Sequence, residues 1–315
     1  MDARIRAARS ADTVTKYPRT PEACIAKFVA DIREELLTPK SIETYSQAVK
    51  IVVKNLDEGK RNTLPYKITE DDVLWLLREK WAHLAIKTRK GYRAILTRYT
   101  EHFGNNVVRR VKVRFPHDMR PNIRWLSKEQ VVRLMELDMT PLQRIVIHFE
   151  LFMGLRRVEC IRLKMSDVHP DNLMVTGKGG IGGKPRTVPF HHDTPAILAK
   201  YIEWRQQQIA IYTKRRPAAS ITDQLIIYRR GGRLSGFSEE GIDTAVSRKL
   251  SAAAGFKFSN HDLRRTFGRQ LHKMNVELRT IADLLGHESI TETEKYIGII
   301  HDDMVDAMKN LNYKE

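Results

Sequence analysis

The sequence predicts a mainly α protein with a small antiparallel β-sheet (α+β), on three observations. Apolar residues recur at helical spacing from Pro21 to Phe103. Two β-like runs flank a glycine cluster between Asn172 and Phe190. Capped helical runs then fill most of the chain from Leu126 onward. With 315 residues, 42% of them apolar and 30% charged, the chain has room for two domains of ordinary size.

Residues 1–20 carry no apolar core segment and read as a basic, poorly ordered arm rather than a secretory signal. Four amphipathic runs follow in 21–105. "TPEACIAKFVADIREELL" puts Cys24, Ile25, Phe28, Val29, Ile32, Leu36 and Leu37 on one stripe. "SIETYSQAVKIVVKNL" starts from a candidate N-cap, Ser41, and "ITEDDVLWLLREKW" from the capping-box-like pair Thr69 and Asp72. "IKTRKGYRAILTRYTEHFG" ends at Gly104. The four make a small bundle of the kind that can straddle a duplex. Lys87, Arg89, Lys90, Arg93 and Arg98 crowd the last run, which places it nearest nucleic-acid phosphates.

Residues 106–125 break helical periodicity with two prolines and read as an extended basic linker. It holds Arg109, Arg110, Lys112, Arg114, Arg120 and Arg124, suited to following a phosphate backbone. A second domain, 126–315, opens on a capping box at Ser127 and Gln130. One helix spans "PLQRIVIHFELFMGLRRVECIRL"; then come the hairpin, the helix "AILAKYIEWRQQQIAIY", a polar loop and a helix near "GIDTAVSRKLSAAAG". In "SNHDLRRTFGRQLHK", His261 and Arg264 share one helical face, Leu263 and Phe267 face the core, and Ser259 or Asn260 caps the start. "LRTIADLLG" is a further helix stopped by Gly286.

The glycines Gly177, Gly179 and Gly182 match G-x-G-x-x-G literally, yet no helix opens on them, because Pro185 and Pro189 follow among β-branched residues. A hairpin with Lys178 near its tip fits better than a dinucleotide cradle. A P-loop fails too, since Pro185 stands directly after Gly183-Lys184.

The net charge is +17, from 55 basic and 38 acidic residues, and the pI is near 9.9. Such a chain favours a polyanionic partner, since neutralised phosphates release counterions. Residues 1–125 carry +11 of the excess. Two cysteines, Cys24 and Cys160, are too few for a disulfide framework or a cysteine-based metal site, and read as buried thiols in a reducing compartment. No run approaches the ~18 apolar residues of a membrane span.

Six residues then fall into a pattern. "GLRRVECIRL" supplies Arg156, "TGKGG…KPRTVP" Lys178, "HDLRRTF" His261 and Arg264, "LLGH" His287, and "TEKY" Tyr296. These boxes resemble those of the tyrosine recombinases, the integrase family that includes phage integrases and chromosome-dimer resolvases. The gaps of 22 residues from Arg156 to Lys178, 23 from Arg264 to His287 and 9 from His287 to Tyr296 also agree. The resemblance implies a helical core-binding domain before a catalytic domain. It implies cleavage and rejoining of duplex DNA through a 3′-phosphotyrosyl intermediate, with neither cofactor nor metal.

The chemistry asks for this set. Two guanidiniums, Arg156 and Arg264, neutralise the non-bridging oxygens of the attacked phosphate. Tyr296 is the nucleophile, and His261 its base or proton shuttle. Lys178 resembles the family's general acid for the leaving 5′ oxygen, and His287 donates a hydrogen bond to the phosphate. A H-E-x-x-H zinc motif is missing from the sequence. The alternatives are a non-cutting DNA-binding relative and a type IB-like topoisomerase. The tail places Ile300, Met304, Met308 and Leu311 on one helical stripe, expected either to dock on a neighbouring protomer of a homotetramer on two DNA sites or to pack on its own domain. A cytoplasmic protein, nucleoid-associated if prokaryotic, without a membrane partner is the matching expectation.

Overall fold

The computed structural model describes residues 17–35, 38–116, 123–177, 185–216, 221–230, 233–298 and 308. It divides into two units, Met1–Pro121 and Asn122–Glu315.

In the first unit α1 (Pro21–Glu34) begins where the Thr20 side chain accepts the Ala23 N–H, with Pro21 in the first turn. α2 (Pro39–Glu58) starts earlier than its sequence suggests. The cap is Thr38, whose hydroxyl accepts the Ser41 N–H at 3.2 Å, because Pro39 is already set for a first turn. α3 (Glu70–Trp75) opens on the expected Thr69–Asp72 capping box and runs into a π turn, Leu76–Lys80. α4 (Ile86–His102) packs Tyr99 edge-on against Phe28 and Phe103, at ring separations of 5.3 and 5.6 Å.

Two expectations for this unit change. Residues 107–110 are not extended. They form α5 (Val107–Arg110), whose Val107 and Val108 are buried with Val111 in the same cluster as Trp81 and Leu96. Three valines outweigh the charges between them, and Arg93 ties the segment down through the Val111 carbonyl at 2.9 Å. At the other end, Tyr17 stacks on Tyr66, and the Pro18 carbonyl accepts the Tyr66 hydroxyl at 3.0 Å, so residues 17–20 pack rather than trail. Residues 1–16, Leu36, Leu37 and Arg120 lie outside the described residues.

The second unit begins with α6 (Lys128–Met135), on the expected Ser127–Gln130 box, then α7 (Pro141–Leu151). The single helix expected across 141–163 is broken. Gly154 adopts φ +65°, and α8 (Arg157–Arg162) starts afresh with Arg156 at its N-cap position. β1 (Asn172–Thr176) and β2 (Pro185–Pro189) pair antiparallel, Leu173 opposite Val188 and Val175 opposite Arg186. α9 (Thr194–Arg215) follows. The stretch expected as a polar loop contains a second hairpin, β3 (Ile227–Arg230) with β4 (Arg233–Gly236), whose arginines hid its alternation. α10 (Glu239–Ile242) continues through a π turn, Asp243–Arg248, into α11 (Lys249–Ala254). The unit closes with α12 (Asn260–Lys273), α13 (Leu278–Leu285) and α14 (Ile290–Ile297).

Leu173, Val175 and Val188 join Leu263 in the main core, while Ile281, Leu285 and Ile297 form a smaller one with Phe267 and Tyr296 at its edge. Cys24 and Cys160 are both buried free thiols. No helix among the described residues is long and apolar enough to cross a membrane.

Gly154 is where backbone and packing demands coincide, because a Cβ there would stand 2.4 Å from the Phe267 ring and would sit on a left-handed backbone that side chains disfavour. Gly154→Ala is therefore expected to destabilise the protein by ~2 kcal/mol or more, measured by denaturant unfolding.

Candidate active site

Glu159 stands three residues into the segment that Gly154 turns, fully buried. Its carboxylate accepts the backbone N–H of Arg156 at 2.7 Å and the Arg156 guanidinium at 2.9 Å. Arg186, from β2, grips it with two nitrogens at 2.8 and 2.9 Å, and Arg264, from α12, approaches to 3.7 Å. Burial alone would raise the Glu159 carboxyl, but hydrogen bonds and charge from Arg186 and the charge of Arg264 hold it below the usual range.

The same three guanidiniums converge on the C-terminal end of α13. Arg186 donates to the Leu284 carbonyl at 3.1 Å, Arg264 to the Leu285 carbonyl, and Arg156 to the Gly286 carbonyl at 3.0 Å. Carbonyls left unpaired at a helix end carry its partial negative charge, so this end is a natural cation seat. Arg264 also donates to the Gly154 carbonyl, at the break before Arg156. Burial, then Arg156, lowers the Arg264 pKa to about 10, which leaves it charged at neutral pH.

Tyr296, on α14, sits over this cluster. The Arg264 and Arg265 guanidinium carbons lie 5.8 and 5.3 Å from its ring centre. The His287 ring meets it edge-on at 5.0 Å, and the His261 ring lies at 6.5 Å. Its hydroxyl points towards the His261 carbonyl oxygen at 3.4 Å, a long contact. Burial raises the phenol pKa, with Arg264 and Arg265 opposing.

Both histidines are neutral at neutral pH, for related reasons. Burial, then Arg264, Arg156 and Arg186, pushes His287 down to about 3. His261 is exposed at the rim yet has protein packed on several sides. That desolvation, then Arg265, Arg264 and Arg157, lowers its pKa. Nδ1 of His287 lies 2.9 Å from the hydroxyl of buried Thr293. With Thr293 donating, the remaining ring proton belongs on Nε2.

The arrangement is therefore a cationic cradle with a phenol at its mouth. Three guanidiniums share one carboxylate, and a neutral histidine donor stands beside them. Such a set fits a phosphate oxyanion. The Phage integrase family model matches residues 124–301, more than half of the chain. The chain belongs to this family.

Tyrosine recombinase XerC of Anoxybacillus flavithermus is 30% identical over 193 residues, 60% of this chain and 60% of that protein. Tyrosine recombinase XerA of Pyrococcus furiosus is 24% identical over 192 residues, covering 60% and 62%. The chain thus spans about 60% of the length of these curated relatives. Among solved structures, a lambda integrase (75-356) dimer bound to a COC' core site superposes with a TM-score of 0.65 at 16% identity, over 93% of this chain and 98% of that one. XerH site-specific recombinase bound to palindromic difH substrate, a post-cleavage complex, gives 0.60 at 20%, over 86% and 79%. At these identities the likeness establishes the fold of this phage integrase family member.

Of the six residues expected from its boxes, Arg156, His261, Arg264, His287 and Tyr296 are brought together; Lys178 lies outside the described residues. Sequence reasoning passed over Arg186, Arg265 and Thr293, and took Glu159 only as a possible ion-pair partner of Arg156, a pairing the structure contains at 2.9 Å. Arg186 and Glu159 stood inside the quoted boxes, and Glu159 three residues after Arg156 is a capping signal. Among the described residues, three metal-capable atoms approach within 4.8 Å at His191, His192 and Asp193, none of which belongs to this cluster.

The basic residues expected to meet DNA divide. Arg89 donates to the Leu77 carbonyl, Arg93 to that of Val111, Arg98 to Tyr45 and Glu35, Arg109 to Glu101, and Arg110 to Glu70. Lys90 lies over the Phe115 ring at 5.9 Å. Lys87, Lys90, Arg109, Arg110, Lys112 and Arg114 are exposed, while Arg89, Arg93 and Arg98 are half-buried.

Removing the shared carboxylate exposes three buried or half-buried cations to one another. Glu159→Gln is expected to cost roughly 3–5 kcal/mol of stability at neutral pH. Because the folded carboxyl pKa is depressed, that difference is full above the ordinary glutamate pKa of about 4.3 and vanishes as pH falls through the folded value. Unfolding curves of wild type and variant across that range check it. Separately, Thr293→Val is expected to raise the population of the Nδ1–H tautomer of His287, read from ring ¹⁵N shifts.

Proposed function

We propose that the protein is a metal- and ATP-independent site-specific DNA recombinase that cuts and rejoins duplex DNA through Tyr296. The observation carrying this reading is that one unit gathers Tyr296, two histidines and the Glu159-bound guanidiniums, although they come from separate stretches of sequence. Relatives named as tyrosine recombinases, and similarly folded proteins solved on DNA, support it.

In the proposed step the scissile phosphate enters the cradle with its non-bridging oxygens towards Arg156 and Arg264. His287 donates from Nε2 to one of them. The Tyr296 oxygen attacks phosphorus in line while its proton passes to neutral His261. The P–O5′ bond breaks, and the 5′ oxygen leaves with a proton from Lys178. The product is a 3′-phosphotyrosine and a free 5′-hydroxyl. Attack by a 5′-hydroxyl from a second duplex reverses the step and completes strand exchange. Tyr296 needs its base, since its phenol is held in the protonated form at neutral pH.

Two duplexes imply four active sites, so a homotetramer on two DNA sites belongs to the proposal, as does work in the compartment that holds the DNA. The tail segment expected to link protomers lies outside the described residues, apart from the exposed helical Met308.

The test is a pool of nicked suicide duplexes with randomised arms, incubated with wild type and Tyr296→Phe. A detergent-stable protein–DNA adduct with wild type alone is expected, and its DNA identifies the site. No adduct from wild type over the whole pool would sink the cleavage reading. Rejoined two-duplex products on the selected site separate recombination from topoisomerase-like relaxation.

A further inference from the structure

Behind the cradle lies a second ionic cluster, which the reaction as proposed does not use. Arg157, next to Arg156, sends one guanidinium nitrogen to Asp243 and another to Glu239 at 2.8 Å. Asp243 turns its other oxygen to the Asn260 side-chain amide at 2.7 Å. The Asn260 carbonyl oxygen accepts the Ser247 hydroxyl. Asp243 and Ser247 both belong to the π turn Asp243–Arg248, so that turn holds both ends of one amide group. Asn260 is the first residue of α12, is 8% exposed, and precedes His261 directly. Beneath this joint the carboxyl of Glu150 is wholly buried without a hydrogen-bond partner, and the Arg157 Nε is also unpaired.

We propose that Asp243 and Arg157 are positioning residues that set the start of α12 against the Arg156 segment and place a fixed positive charge behind His261. The proposal rests on the strand-cleavage reading above and deepens it. Through Asn260, Asp243 fixes the first turn of the helix carrying His261 and Arg264. Through Arg157, it fixes that turn relative to the residue after Arg156. A reaction needing an in-line phosphate between groups on these two segments is sensitive to a shift of about 1 Å between them. The joint also has an electrostatic side. The charges of Arg265, Arg264, Arg157 and Asp262 act on His261, and the Tyr296 ring lies 6.5 Å from its own. Arg157 is in turn faced by Asp243 and Glu239, and by Glu150. Neutralising Asp243 leaves more of the Arg157 charge acting on His261, and removing Arg157 leaves less.

Three variants of the full chain test both sides. In Asp243→Asn the His261 ring is expected to titrate at lower pH than in wild type, in Arg157→Gln at higher pH, and in Arg157→Lys close to wild type, all read by NMR of histidine-labelled protein. On the selected suicide duplex, Asp243→Asn is expected to form adduct ~10–100-fold more slowly at saturating DNA, with DNA affinity within about twofold. The acid limb of its rate profile should move in the same direction as its His261 titration. Arg157→Lys, which keeps the charge, should recover most of the rate lost in Arg157→Gln. Identical His261 titrations in all three variants would overturn the electrostatic half. Cleavage by folded Asp243→Asn within twofold of wild type would overturn the positioning half. If wild type forms no adduct at all, the cleavage reading fails, and the positioning half with it, while opposed His261 shifts still support the electrostatic half.

Discussion

One buried carboxylate organises the second unit. Glu159 is shared by Arg156 and Arg186 through direct hydrogen bonds and approached by Arg264, so the local count is three cations to one anion. A fully neutralised cluster would be a structural ion pair and nothing more. A cluster with no carboxylate would have three guanidiniums repelling one another in a low dielectric. The intermediate solution holds the arginines in fixed directions and leaves a positive excess for a phosphate to meet. The α13 carbonyls at Leu284, Leu285 and Gly286 make this tolerable, because each guanidinium gains a backbone acceptor at the negative end of a helix.

The backbone break at Gly154 matters for the same reason. An uninterrupted helix from Pro141 to Arg162 would point Arg156 wherever helical periodicity sent it. The left-handed turn at Gly154 frees Arg156 to sit at a helix start, where its own N–H reaches Glu159, and presents the Gly154 carbonyl to Arg264. Phe267 closes over the glycine from α12, so the segment bearing Arg156 and the helix bearing Arg264 are packed together. Position and charge are thus set by one contact region.

Much of this was legible in the sequence, and what was not has physical causes. Capping boxes at Thr69 and Ser127, the glycine stop at Gly286 and the β1–β2 hairpin are local signals, and the chain obeys them. The boxes around Arg156, His261, Arg264, His287 and Tyr296 were visible because side-chain type and spacing carry the chemistry. The errors arise where tertiary contacts overrule local reading. Three valines bury α5 despite its arginines, and Gly154 interrupts a run whose apolar spacing looked continuous. The roles of Arg186 and Thr293 do not show in sequence, since Glu159 precedes Arg186 by 27 residues and His287 lies six residues before Thr293, outside its helix. Several basic residues of α4 and α5 also contact carbonyls and carboxylates of their own unit, partners that a count of charge along the chain does not show.

The cations that would hold a phosphate also set the protonation of the groups around it. Burial lowers the His287 pKa first, and Arg264, Arg156 and Arg186 lower it further, so it remains a neutral donor that adds no charge to an already positive cradle. His261 is lowered by desolvation and by Arg265, Arg264 and Arg157, which leaves it deprotonated and able to accept a proton. Tyr296 is the counterweight, because burial keeps its proton on while Arg264 and Arg265 favour the phenolate that loss of that proton generates. A phosphate entering this site brings negative charge that partly cancels the guanidiniums. In the proposed step it would raise the basicity of His261 as the phenol gives up its proton, so that binding and activation would be one electrostatic event rather than two.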